Sequence, residues 1–157
     1  MKEPEEKKNI LFVCSENSNR SQMAEAFAKI RGEEMVNAFS AGSRPSGKIN
    51  PRAVEAMKLL GYDLSRHQSK STDEMMDILW LMSGRNSAEV IFDYVITMGC
   101  GDECPFLPAK HREDWDIPDP KNLPMKEFIV IRNLIELKVK ELLRSIKNNN
   151  ENRKEVA

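Results

Sequence analysis

Ile10-Leu11-Phe12-Val13-Cys14-Ser15-Glu16-Asn17-Ser18-Asn19-Arg20-Ser21-Gln22-Met23-Ala24-Glu25-Ala26-Phe27 changes character twice along its length. Ile10 to Val13 is an unbroken apolar run, as expected of a strand buried on both faces of a parallel sheet. From Ser21 onward, Met23, Phe27 and Ile30 recur at helical spacing with Ala24 and Ala28 beside them, and Gly32 is the expected stop. Cys14 to Arg20 is therefore a polar loop joining the end of a buried strand to the start of a helix.

Such a loop suits an anion. Successive backbone N–H groups from Ser15, Glu16, Asn17, Ser18, Asn19, Arg20 and Ser21 can converge on one point, and the helix N-terminus adds its partial positive charge. Arg20 offers a planar fork matching two oxygens of a tetrahedral oxyanion. The same field favours a thiolate at Cys14, which makes it a nucleophile. Ser21 can donate a hydrogen bond to that sulfur, and Asn17 can brace the loop. A small buried cysteine with only a packing role would not account for the polar residues that follow it.

The remaining chain repeats the alternation. Val36 to Ser40 reads as a second strand ending at an Ala41-Gly42 turn. Asn50 and Pro51 begin a helix with apolar face Ala53, Val54, Met57 and Leu60, closed by Gly61. Ser71-Thr72-Asp73-Glu74 is a capping-box start for a helix carrying Met75, Ile78, Leu79 and Met82, with Gly84 at its end. Ile91 to Ile96 is a strand leading toward Cys100, and a short strand is expected around 112–116. Phe128, Ile131, Ile135, Val139, Leu142 and Ile146 define a long amphipathic helix. Residues 1–8 and the Asn-rich tail after Lys147 are expected to lack fixed structure. Strands alternating with helices predict one α/β domain, a three-layer sandwich around a four-stranded, mainly parallel sheet. Ligands in such sheets sit beyond the carboxyl ends of strands, so the loops bearing Cys14 and Cys100 should open on one edge.

Composition excludes other classes. Lys plus Arg number 24 against 25 for Asp plus Glu, so nothing points to nucleic acid or an acidic membrane. No apolar run reaches the roughly 18 residues of a membrane span, and the N-terminus lacks a signal-peptide apolar stretch. A cytoplasmic protein is expected. Three cysteines fit poorly with a secreted disulfide framework. Zinc held by Cys100, Cys104 and His111 would lack a fourth ligand at standard spacing.

Cys14 through Glu25 resembles the phosphate-binding loop and first helix of the low-molecular-weight protein tyrosine phosphatase superfamily, and more closely its thioredoxin-coupled arsenate reductases. Phe39-Ser40-Ala41-Gly42, Asn50-Pro51 through Met57, Val95 through Cys100 with Cys104-Pro105, and Asp114-Trp115 through Asp119-Pro120 extend the likeness over about residues 9–145. The resemblance implies that Asp119 is the acid that protonates the departing oxygen, with Asp116 as a neighbour open to misassignment. It further implies that Cys100 and Cys104 carry electrons in a thiol–disulfide relay, with thioredoxin, or else a glutathione or mycothiol system, as reductant. A potassium ion is implied at Asn17, Glu25, Ser40 and Asp93.

Lys121-Asn122 follows Asp119-Pro120 where similar phosphatases carry aromatic residues, and Asn19 stands where they often have a second cysteine. Both departures favour arsenate reduction. Glu16 replaces a frequent glycine and is expected to face outward, away from the anion. The segment from about 79 to 90 is longer than the resemblance implies. His67 is given no catalytic role. A phosphatase acting on phosphotyrosine or another small phosphoester is the alternative activity, and a non-catalytic oxyanion or redox sensor the third.

Overall fold

The computed structural model describes residues 6–82, 84, 91–99 and 107–156. Strand β1 (Lys8–Cys14) is central. It pairs in parallel with β2 (Val36–Gly42) on one side and β3 (Phe92–Thr97) on the other, and β4 (Ala109–Asp114) adds to β3, giving the order β2-β1-β3-β4. All pairings are parallel, as the alternation of elements predicts.

Burial on both faces explains the apolar run in β1. Ile10, Phe12 and Cys14 point into a core shared with helices α1 (Arg20–Gly32), α2 (Pro51–Lys58) and α4 (Met125–Val156). Leu11 and Val13 point the other way, toward Met75 and Leu79 of α3 (Thr72–Met82). Ile10 to Val13 have no exposed surface, and each contributes on the order of 1.5–3 kcal/mol through burial. The sheet is thus covered on both sides, a three-layer sandwich. Because β2 lies on one side of β1 and β3 on the other, chain direction across the sheet reverses between β1 and β3. Cys14 ends β1 at that switch point.

The expected caps form. Asn50 Oδ1 accepts from Arg52 N, and Ser71 and Glu74 exchange reciprocal bonds at 3.0 and 3.2 Å. Gly61 and Gly84 close their helices at positive φ.

Several expectations need correction. Strand β2 continues through Ala41 and Gly42, which pair with Val13 and Cys14 rather than turning away. Strand β4 occupies 109–114 instead of 112–116. It is an exposed edge strand without the apolar alternation that would mark its ends. Lys8 already belongs to β1. Helix α4 runs past Lys147 to Val156, because Asn is a weak helix former but not a breaker, and no Gly or Pro interrupts the run. Gly32 ends α1 without a left-handed φ; a Cβ there would lie 2.8 Å from Leu143 Cδ2, so it serves close packing on α4. Ile30, Leu60, Ile78 and Met82 are largely exposed although their spacing put them on apolar faces. Leu60 falls beyond the last residue of α2, and Ile30 and Met82 sit in final turns. Among the described residues no helix is long and apolar enough to cross a membrane.

Pairing of Cys14 with Gly42 brings the polar loop directly onto the glycine. A Cβ at Gly42 would meet Ser15 O at 2.6 Å and Asn17 N at 3.0 Å, both backbone atoms that cannot swing aside. Gly42→Ala is expected to cost about 1–3 kcal/mol in urea denaturation. It should also weaken inorganic phosphate binding by about tenfold or more, since the loop itself must shift. Unchanged phosphate affinity would show that the loop does not depend on this contact.

Candidate active site

The loop's carbonyls all face outward. Cys14 O accepts from Ser43 N, Ser15 O from Arg44 N, Glu16 O from Ser46 N, Ser18 O from Asn50 N and Asn19 O from Met23 N. Asn17 O accepts from Gln22 Nε2 at 3.1 Å. Turning six consecutive carbonyls out turns the intervening amides in, and among the described residues no acceptor takes the amides of 15–19. Inward amides form an anion-binding concavity. Asn17 holds the curve at φ 51°, left-handed backbone that Asn tolerates better than most side chains. Cys14 is 3% exposed.

A side-chain chain behind the loop ends on the sulfur. Lys70 N donates to Asn17 Oδ1, which fixes the amide so that Asn17 Nδ2 donates to Ser21 Oγ at 2.7 Å. The Ser21 hydroxyl proton is then free to point at Cys14 Sγ, 2.9 Å away. Gln22 Nε2 donates to Asn17 Oδ1 and to the backbone oxygens of Asn17 and Gln68, so Gln22 Oε1 must accept from His67 Nδ1. In a neutral His67, Nε2 then accepts from the Tyr62 hydroxyl at 2.6 Å. His67, given no role from sequence, thus braces the loop through Gln22. Nothing in the sequence singled out Gln22, a polar residue on a helix face that proves fully buried. Burial holds the imidazole below its ordinary value although Glu25 Oε2 lies 3.2 Å from Nδ1. Glu25 is shared with Lys29 at 2.7 Å and Lys70 at 4.0 Å, so burial prevails.

Across the cradle lies the loop after β4. Trp115 N bonds Thr97 O, and the Trp115 ring packs 5.9 Å from Phe12, anchoring the loop on the sheet. Arg20 Nη1 donates to Ile117 O at 3.0 Å, and Nη2 lies 3.9 Å from Asp119 Oδ2. Gly99, at φ 72°, leaves room for the guanidinium, since a Cβ there would sit 2.9 Å from Nη1. Asp119 joins Cys14, Ser15, Glu16, Ser18, Asn19 and Arg20 around one small cavity of about 10 Å³, whereas Asp116 does not line it. Glu16 does face outward, its carboxylate 2.8 Å from Lys121 Nζ. Cys100 and Cys104 lie outside the described residues.

The four potassium candidates do not converge. Ser40 Oγ reaches Glu25 Oε1 at 2.8 Å, and Asn17 Oδ1 is taken by Gln22 and Lys70 N. Asp93 sits near the start of β3, on the side of β1 away from Ser40, where it accepts from Asn9 N and pairs with Lys110. The positive charge at Glu25 comes from Lys29 and Lys70 instead. These residues do not fit the ion.

This arrangement defines a class: parallel α/β proteins that present a cysteine sulfur under an anion-binding strand-to-helix loop. The chain belongs to the low molecular weight phosphotyrosine protein phosphatase family, which it matches over residues 9–152. It is 39% identical over 137 residues to an arsenate reductase of Staphylococcus aureus, covering 85% of this chain and 94% of that protein. It is 40% identical over 140 residues to arsenate reductase 1 of Staphylococcus saprophyticus, covering 87% and 96%. A solved arsenate reductase in the phosphate binding state superposes with TM-score 0.72 at 30% identity, over 88% of this chain and 98% of that one. The thioredoxin-dependent arsenate reductase of Corynebacterium glutamicum gives 0.70 at 33% identity, over 91% and 63%.

Two outcomes are expected. Exchanging sodium for potassium at equal ionic strength should leave the melting temperature unchanged; a potassium-specific rise would place an ion among these residues. The depressed His67 value means the unfolded chain takes up its proton first as pH falls below about 6.5, so acid removes stability down through the folded value. His67→Gln should flatten the fall in melting temperature between about pH 7.5 and 5.5, and equal slopes in both proteins would contradict it.

Proposed function

We propose that this enzyme reduces arsenate to arsenite, with Cys14 as nucleophile and Cys100 and Cys104 as electron carriers. The observation that carries the reading is the Cys14 sulfur, bonded to Ser21 and set at the foot of a loop whose carbonyls bond outward and whose amides at 15–19 have no acceptor among the described residues. The names of the relatives support the substrate.

Arsenate binds to the loop amides and the Arg20 fork. The Cys14 thiolate attacks arsenic, forming a sulfur–arsenic bond, while Asp119 gives its proton to the departing oxygen, which leaves as water. The Ser21 hydroxyl and the loop amides stabilise negative charge on the sulfur before attack and whenever it is regenerated. Cys100 thiolate then attacks the Cys14 sulfur. A disulfide forms, the sulfur–arsenic bond breaks, and its electron pair stays on arsenic, which falls from the pentavalent to the trivalent state. Cys104 thiolate attacks Cys100, leaving a Cys100–Cys104 disulfide and a free Cys14 thiolate. A dithiol reductant, thioredoxin in this reading, restores the pair.

One described residue next to the relay segment supports the reading. Gly99 packs against Arg20, and Cys100 is the next residue, so the chain enters the relay segment beside the anion site. The phosphatase alternative needs only Cys14, Arg20 and Asp119, and the family's name keeps it in view.

One assay set separates the readings. Arsenate-dependent oxidation of NADPH with thioredoxin and its reductase should proceed, and should vanish in Cys100→Ser and Cys104→Ser. Asp119→Asn should lower kcat by about 10²–10⁴ while sparing phosphate affinity. A phosphatase would hydrolyse an aryl phosphate and tolerate both cysteine changes, and a sensor would bind phosphate and turn over neither substrate. Turnover supported only by glutathione or mycothiol would keep the reduction and replace the partner.

A further inference from the structure

Glu16 belongs to the anion loop and Lys121 to the loop that carries Asp119, yet their side chains meet at 2.8 Å. Lys121 is doubly committed. Its backbone N–H donates to Asp119 Oδ1 at 3.0 Å while its ammonium reaches Glu16. Contact with Glu16 raises the Lys121 ammonium above its ordinary value. Glu16 and Asp119 both line the small cavity over Cys14, and the Glu16–Lys121 contact at its rim ties the cradle to the loop that carries the acid.

Reaction chemistry gives this position a meaning. An acid protonates the oxygen that leaves, so the group borne by that oxygen must lie beside the acid. Arsenate and phosphate carry only hydrogen there. An ester carries a carbon skeleton, which would have to pass beside Asp119, where Lys121 bonds Asp119 through its backbone and ties the loop to Glu16.

We propose that the Glu16–Lys121 pair is a specificity-determining tie that admits bare tetrahedral oxyanions and disfavours organic phosphoesters or phosphonates at the Cys14 site. The inference rests on the reading of Cys14, Arg20 and Asp119 as an oxyanion site, and is independent of the cysteine relay. It also accounts for a carboxylate beside an anion site, since Lys121 balances the charge of Glu16 and holds it outward.

The test compares inorganic phosphate with phenylphosphonate by titration calorimetry on the full chain, folding being checked by melting temperature. Glu16→Ala should tighten both ligands and Lys121→Ala should weaken both, because each changes the local charge. In both variants, however, the preference for phosphate over phenylphosphonate should fall by about threefold to fivefold, the scale of an exposed ion pair. The exchanged pair, Glu16→Lys with Lys121→Glu, should restore the preference. A purely electrostatic role would move the affinities in opposite directions and leave the ratio unmoved, and that result overturns the inference. So does a wild-type protein that binds the two ligands equally, or an exchanged pair that fails to restore the ratio. Absence of phosphate binding in the wild-type protein overturns the oxyanion reading and this inference with it; phosphate binding with an unmoved ratio overturns the inference alone.

Discussion

Six carbonyls in a row must find donors outside a tight loop before the amides between them can face inward. No residue of the loop can satisfy that demand alone, so the surrounding fold supplies it. The segment after β2 runs alongside the loop and contributes Ser43, Arg44, Ser46 and Asn50 amides to four of the six oxygens. It can do so because the parallel register sets Cys14 opposite Gly42, and because Gly42 has no Cβ to hold the two backbones apart. Asn17, in a left-handed conformation at the middle of the loop, ties the curve to Gln22 and to the Lys70 amide. Sulfur placement is therefore a property of the β1–β2 pairing and of the turn after it.

Arg20 joins this rigid half to a more exposed one. Its guanidinium bonds the Ile117 carbonyl and faces Asp119, whose side chain is 48% exposed. The loop bearing Asp119 hangs from Trp115, which packs on Phe12 of the central strand. Charge is thus matched in pairs across the site: Arg20 with Asp119, and Lys121 with Glu16.

Much of this could be read from sequence, for a physical reason. A strand buried on both faces leaves a continuous apolar run, and a helix packed on one side leaves period-3.6 apolar residues, so β1, α1 and the start of α4 announce themselves. The polar interruption between the first two marked the loop, and the outward turn of Glu16 followed from charge repulsion. Signals failed where burial was absent or shared. β4 is an exposed edge, so its ends carried no pattern. Beyond Lys147, α4 has neither an apolar stripe nor a breaker. Gly32 looked like a left-handed cap but is small because Leu143 lies against it. The network from Tyr62 through His67 and Gln22 to Asn17 joins residues up to 45 positions apart, and no local spacing encodes it. Asp93 was grouped with Glu25 and Ser40 by likeness alone, and strand order separates it from them.

Strand β4 has one more consequence. It is the last strand on its side of the sheet, with backbone groups along that margin able to pair with another polypeptide, the usual route to unwanted self-association. Its side chains from Lys110 to Asp114 are Lys, His, Arg, Glu and Asp, all of them exposed. A strand from another molecule would have to line up against five successive polar heads of mixed sign, stripping their hydration without an apolar surface to gain. Among the described residues β4 closes the sheet with a border that is costly to dehydrate.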